Sequence, residues 1–225
     1  MREIVEKKVL SENDRLAGEL RRRYRDENIL CVNLISSPGS GKTALLEKTL
    51  ASFPQGSSVA VLTGDIQTDN DARRLARYGF PVRQIVTGGT CHLDARMVER
   101  HLNELGFRGP GILFVENVGN LVCPSSYDLG EAAKIVLLSV TEGEDKPLKY
   151  PGIFHRASLM ILTKTDLLPH LDFNPELALE NARKIHPEMD YIALSSRTGE
   201  GFDKWLSWLN SLQQKAQPQA AAVSS

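Results

Sequence analysis

Two groups of residues, near positions 40 and 117, have the types and spacing for phosphate chemistry. The first is Ser36-Ser37-Pro38-Gly39-Ser40-Gly41-Lys42-Thr43. It fits G-x-x-x-x-G-K-[ST], with Ser36 in place of the first glycine. Small residues there let backbone N–H groups curl around phosphate oxygens, and a helix beginning at Ala44 points its positive end at them. The phosphate-binding set is therefore Ser37, Gly39, Ser40, Gly41, Lys42, Thr43 and Ala44. Lys42 reaches the β- and γ-phosphates, and the Thr43 hydroxyl serves Mg2+. The second group is Glu116, closing the apolar run 111–115, with Gly119 three residues on. A carboxylate at that strand edge holds Mg2+ or its waters, and a glycine N–H beside it senses a γ-phosphate.

A third group follows the run 157–162 and reads Thr163-Lys164-Thr165-Asp166. It is similar to the guanine-recognition motif Asn-Lys-x-Asp, with threonine for asparagine. One aspartate accepts from both N1–H and the 2-amino group of guanine, a pair that adenine lacks, and the lysine stem covers one face of the base. Ser195 and Ser196 supply the supporting loop. The three groups in this order indicate a GTPase. Asp65 and Asp69, after the second strand (58–63), are both candidates for placing Mg2+ or the attacking water, and the sequence does not rank them. A P-loop kinase with Asp65 as base is the alternative from another reaction class; the guanine motif speaks against it.

The chain has three cysteines, which make no disulfide framework. Cys31 lies in the apolar run and reads as a buried thiol. Cys91-His92 lies in a polar turn before a helix, and Cys123 seven residues beyond Glu116. Two thiols and one imidazole leave a tetrahedral metal site incomplete, and a two-fold dimer would close it. Thiolate and imidazole ligands accept both Ni2+ and Zn2+. A metal-independent regulatory GTPase with structural cysteines is the competing reading.

These groups need a frame to hold them. Runs at 29–35, 58–63, 81–86, 111–115, 133–140, 157–163 and 191–194 read as strands. They alternate with helical patterns at 44 onward, 68–78, 93–105, 175–185 and 202–212. That alternation predicts an α/β fold of the P-loop NTPase kind, a mainly parallel sheet with helices on both faces. Residues 1–27 read as a helix with a loose stripe at Ile4, Val5, Val9, Leu16 and Leu20. Residues 28–212 form the GTPase domain with its metal site, 141–150 a charged loop, and 213–225 a disordered tail rich in Gln, Ala and Ser.

Composition bounds the rest. At 225 residues the chain suits one α/β domain, and a formal net charge of −1 argues against a nucleic-acid footprint. Met1-Arg2-Glu3 does not begin a signal peptide, and no apolar run is long enough to cross a bilayer, so the expected compartment is the cytoplasm.

Five segments carry a family resemblance: residues 36–43, Gly-Asp-Ile-Gln-Thr-Asp-Asn-Asp (64–71), Cys-His-Leu-Asp-Ala (91–95), Glu-Asn-Val-Gly-Asn-Leu-Val-Cys-Pro (116–124) and Asp-Lys-Pro-Leu-Lys-Tyr-Pro (145–151). Over about residues 10–212 the chain resembles the HypB family, GTPases of nickel insertion into [NiFe]-hydrogenase. It resembles the urease nickel-insertion GTPase more distantly. The resemblance implies GTP/GDP, Mg2+ and Ni2+ or Zn2+ as ligands. It implies a GTP-dependent homodimer, a small nickel metallochaperone and the hydrogenase large subunit as partners, and Cys91, His92 and Cys123 as the cargo-metal site. Residues 1–27 contain no Cys or His, so they carry none of the nickel-storing motifs found in some members.

Overall fold

Strands that are apolar throughout rather than alternating belong in a sheet covered on both faces. All eight residues of Ile29–Ser36 and all seven of Ala133–Ser139 are buried, as that pattern requires. The computed structural model describes residues 2–67 and 69–216, with side chains from residue 7 onward. The order is α1 (Arg2–Asp26), β1 (Ile29–Ser36), α2 (Lys42–Ser52), β2 (Val59–Asp65), α3 (Asn70–Ala76), β3 (Val82–Val86), α4 (Ala95–Leu105), β4 (Gly111–Glu116), β5 (Ala133–Ser139), α5 (Lys146–Lys149), α6 (Pro151–Arg156), β6 (Leu159–Thr163), α7 (Pro175–Ile185), β7 (Asp190–Ala193) and α8 (Phe202–Ala216). Short 3-10 turns stand at Cys123–Ser125 and Thr165–His170.

The seven strands form one sheet in the order β3-β2-β4-β1-β5-β6-β7, and every neighbouring pair is parallel. Central strands are buried end to end, while edge strands β3 and β7 mix buried and exposed positions. On one face Leu30, Val32 and Leu34 of β1 meet Leu45, Leu46 and Leu50 of α2 and Trp205 of α8. The indole N–H of Trp205 is satisfied by Thr49 Oγ1 at 2.9 Å. On the other face, Cys31 and Val115 pack under α1 and α4, and Val136, Leu138 and Leu162 under α6 and α7. Parallel strands bring their C-terminal ends to one edge, so Ser36, Asp65, Glu116, Ser139 and Thr163 share it.

Three expectations change. The charged loop contains α5, and α6 follows at once. Pro147 and Pro151 stand in the first turns of these helices, where no N–H is needed, and Lys146–Glu142 and Lys149–Asp145 are i,i+4 ion pairs. Helix α8 continues to Ala216, into the expected tail, because Gln213, Gln214, Lys215 and Ala216 all favour helix; residues 217–225 lie outside the described residues. In α1 the apolar stripe is not continuous. Leu16, Ala17, Leu20 and Tyr24 are buried against the sheet, but Val9 is half exposed, and the side chains of Ile4 and Val5 lie outside those described. Thr68, the expected start of the third helix, is also outside.

Helix α1 is therefore part of the core, not an arm beside it. Leu20 is 2% exposed. Leu20→Ala should lower the unfolding free energy by about 2–5 kcal/mol, the cost of an uncollapsed core cavity. Urea titration of the full chain measures it, and a change under about 0.5 kcal/mol, as at a surface site, would contradict this packing.

Candidate functional site

The turn after β1 folds as its small residues allow. Gly41, the residue before α2, has φ 94°, a left-handed conformation that suits glycine. Lys42 is buried, and its Nζ donates to Ser36 Oγ at 2.9 Å. Burial holds its pKa below the usual lysine range, with Glu116, Asp71, Glu142 and Asp65 pulling the other way. Serine at position 36 thus gives the lysine a hydroxyl partner that glycine could not.

Across the cleft the Thr43 hydroxyl donates to Glu116 Oε1 at 2.7 Å, while Glu116 Oε2 is buried with no hydrogen-bond partner. Burial pushes the Glu116 carboxyl up to about 7, against the opposing pull of Lys42 and the Thr43 hydrogen bond. A hydroxyl and a half-used buried carboxyl side by side fit a hard cation. The cleft, about 480 Å3, is also lined by Gly119, Asp65, Asp71 and Arg74. Asp65 accepts from the Gln67 N–H at 2.8 Å. Asp69 does not line the cleft: it precedes α3 and pairs with Arg73 on the outer face. Asp71 and Arg74, one turn apart, take the inner face, where Arg74 also pairs with Glu47. The helical phase of α3, not visible in spacing alone, makes that choice.

The guanine-motif residues come together with the phosphate loop. Thr163 Oγ1 donates to the Ser40 carbonyl at 2.7 Å, so this hydroxyl ties β6 to the loop. Lys164 follows with φ 61°. Asp166 Oδ1 accepts from Ser195 Oγ at 2.6 Å, and Ser195 Oγ in turn accepts from the N–H groups of Arg197 and Thr198. Ser196 stands beside it, half-buried. Glu142 was not foreseen: its Oε1 lies 2.7 Å from Ser40 Oγ and accepts from the Ser139 N–H, anchoring the loop from β5.

The thiol–imidazole group also assembles within one chain. Among the described residues Cys91, His92 and Cys123 are the one cluster of such ligands, with donor atoms all within 4.8 Å of one another. The two Sγ atoms are 2.7 Å apart. The His92 ring stacks on Tyr127 with centroids 3.7 Å apart, and its Nδ1 is buried without a hydrogen-bond partner. Burial lowers the His92 pKa, favouring the neutral ring that a metal needs, with Asp94 opposing. The hydrogen bond shared with Cys91, which favours the protonated form, raises the Cys123 thiol, aided by burial. Cys31 is fully buried in the core, its thiol pushed up by desolvation, beside a larger hollow of about 1050 Å3 at the opposite edge of the sheet. That hollow contains none of the phosphate-loop groups.

The two sites share one loop. Gly119 lies so close to the phosphate loop that a Cβ there would stand 3.0 Å from Pro38 Cα. Four residues later the same segment delivers Cys123. Residues 30–193 match the family model for CobW/HypB/UreG, nucleotide-binding domain. The hydrogenase maturation factor HypB of Azotobacter chroococcum mcd 1 is 53% identical over 205 residues, covering 91% of this chain and 67% of the relative. The HypB of Escherichia coli K12 is also 53% identical, over 91% and 71%. The chain belongs to the HypB family. The crystal structure of HypB from Helicobacter pylori in complex with nickel superposes with a TM-score of 0.85 at 40% identity, covering 94% of this chain and 99% of that one. The HypB resemblance and the parallel P-loop fold read from sequence therefore hold.

The raised Glu116 carboxyl has a measurable consequence in protein free of nucleotide and metal. Folded protein holds a proton here that the unfolded chain releases near pH 4.5, so this stabilisation is complete below that pH and is lost as pH rises towards about 7. Glu116→Gln should flatten the fall in urea midpoint across that window. An unchanged slope would show that the carboxyl titrates normally.

Proposed function

We propose that this chain is a GTP-hydrolysing switch that takes up and releases nickel during maturation of a nickel–iron hydrogenase. The observation carrying this reading is the single loop that runs from Glu116 and Gly119, at the phosphate loop, to Cys123 in the thiol–imidazole cluster. Its support is the family membership and the likeness to a HypB crystallised with nickel.

In this reading the backbone of residues 37–44 and Lys42 hold the phosphates, and Asp166 holds guanine with Ser195 fixing its carboxylate. Thr43 and Glu116 would hold Mg2+, with Asp65 nearby; that ion would supply charge neutralisation across the phosphates. Asp65 and Asp71 are the acids placed to orient the attacking water, giving GDP and phosphate. Cys91, His92 and Cys123 bind the cargo, and their thiols lose protons as metal enters. Ni2+ and Zn2+ both suit this donor set. Two sulfurs and one nitrogen leave a position open, which a second copy of the chain would complete in a GTP-favoured homodimer. Loss of the γ-phosphate moves the Gly119 segment and with it Cys123, handing the metal on. The recipients in this reading are a small nickel metallochaperone and the hydrogenase large subunit, in the cytoplasm.

Nickel titration with a GTP analogue and Mg2+, then with GDP and Mg2+, should show tighter binding in the GTP state. Cys123→Ala should weaken it by at least about a hundredfold. Equal, weak binding in every sample would leave a GTPase whose metal chemistry belongs to its partners, and sedimentation of the same samples tests the dimer.

Base recognition is checked separately. Asp166→Asn exchanges an acceptor for a donor, so GTP affinity should fall by about a hundredfold or more while xanthosine triphosphate gains. Retained preference for GTP would remove Asp166 from the base site.

A further inference from the structure

Between the two sites lies a buried chain of side-chain amides, whose member Asn117 also lines the nucleotide cleft. Glu131 accepts on both oxygens, from Lys134 Nζ, Asn33 Nδ2 and the Leu129 N–H. Asn33, having turned its amino group to Glu131, presents its oxygen to Asn117 Nδ2 at 3.3 Å. The Asn117 carboxamide is thereby oriented with its oxygen facing the other way. That oxygen accepts two backbone N–H groups: Val118 at 3.0 Å, in the segment leading to Gly119, and Leu93 at 3.2 Å, the residue after His92. Asn33 and Asn117 are essentially inaccessible, so water cannot substitute for a missing partner. The Asn117 backbone N–H is bonded to the Leu34 carbonyl, which fixes the side chain to the central strand. Asn120 adds a second tie, its Nδ2 donating to the Cys91 carbonyl at 3.2 Å.

We infer that Asn117, assisted by Asn120, is the positioning residue that couples the nucleotide-sensing segment to the loop bearing Cys91 and His92. Cys123 rides on the segment itself, but Cys91 and His92 stand on a separate loop between β3 and α4. Without a connection, movement of the segment would carry one ligand away from the other two and leave those at rest. The shared acceptor makes both loops respond to one carboxamide, so displacement at Val118 strains the hold on Leu93. This deepens the nickel-switch reading and rests on it.

The test is Ni2+ titration of the full chain with GTP analogue–Mg2+ and with GDP–Mg2+, for wild type, Asn117→Ala and Asn120→Ala, with thermal melts to establish folding. The quantity read is the ratio of nickel affinities in the two nucleotide states. That ratio should fall at least about fivefold in Asn117→Ala and less in Asn120→Ala, the scale of a typical coupling between sites. In Asn120→Ala, which is outside the nucleotide cleft, GTP turnover should stay within about twofold of wild type. A wild-type ratio retained in folded Asn117→Ala, or in Asn120→Ala should the first variant not fold, overturns the role of these amides alone. A ratio of one in the wild type overturns the nickel-switch reading, and this coupling with it.

Discussion

The parallel pairing of β1 with β4 is the constraint on which the other arrangements depend. Its register sets Leu34 opposite Glu116 and continues one step further in the Asn117 N–H bond to the Leu34 carbonyl. A slip by one residue would turn Glu116 to the opposite face and Asn117 into its place. With the register as it stands, Glu116 meets Thr43 at the start of α2, Asn117 meets Asn33, and the chain leaves β4 directly against Pro38. Burial on both faces enforces this register, because either strand, shifted, would carry a polar side chain into the core.

The same burial gives the cleft its electrostatic character. Lys42 and Glu116 are opposite charges that both lose solvation, so each is pushed towards its neutral form while attracting the other. Such a pair is costly without a ligand, and in the proposed function a phosphate with its cation would supply the missing partners. Thr163 Oγ1, Ser40 Oγ and Glu142 Oε1 are hydrogen-bonded within the protein, and they hold the loop in shape from β5 and β6.

At the thiol–imidazole cluster, geometry is supplied by a neighbouring ring and by an amide. Tyr127 stacks on His92, and Asn120 holds the Cys91 carbonyl, so two of the three ligands are positioned by residues with no affinity for metal themselves. A cluster built this way reads the position of its supports. In the proposed switch, that is the physical route by which events at phosphate would reach a thiol without any ligand in common.

Local pattern was enough for several features of this protein. A Gly-rich turn ending in Lys42-Thr43, an acid closing an apolar run, and Thr163-Lys164-Thr165-Asp166 are contiguous signals, because each lies on one turn or one strand end. Apolar runs alternating with helical stripes likewise implied the parallel sheet, and five short segments carried the family resemblance. What sequence could not rank were choices between residues brought together from different elements. The phase of α3 turned Asp71 and Arg74 inward and Asp69 outward; spacing left Asp65 and Asp69 equal. Glu142, Tyr127 and Asn33 have no motif around them, and Asn117, though inside the 116–124 segment, meets Leu93 and Asn33, 24 and 84 residues away. The short helices near Lys146 also escaped, since ion pairs and first-turn prolines stabilise them, and so did the end of α8, which rests on the helix propensity of residues 213–216. Contiguous chemistry is written along the chain, whereas hydrogen bonds between distant amides exist only once the β1–β4 register has placed them within reach.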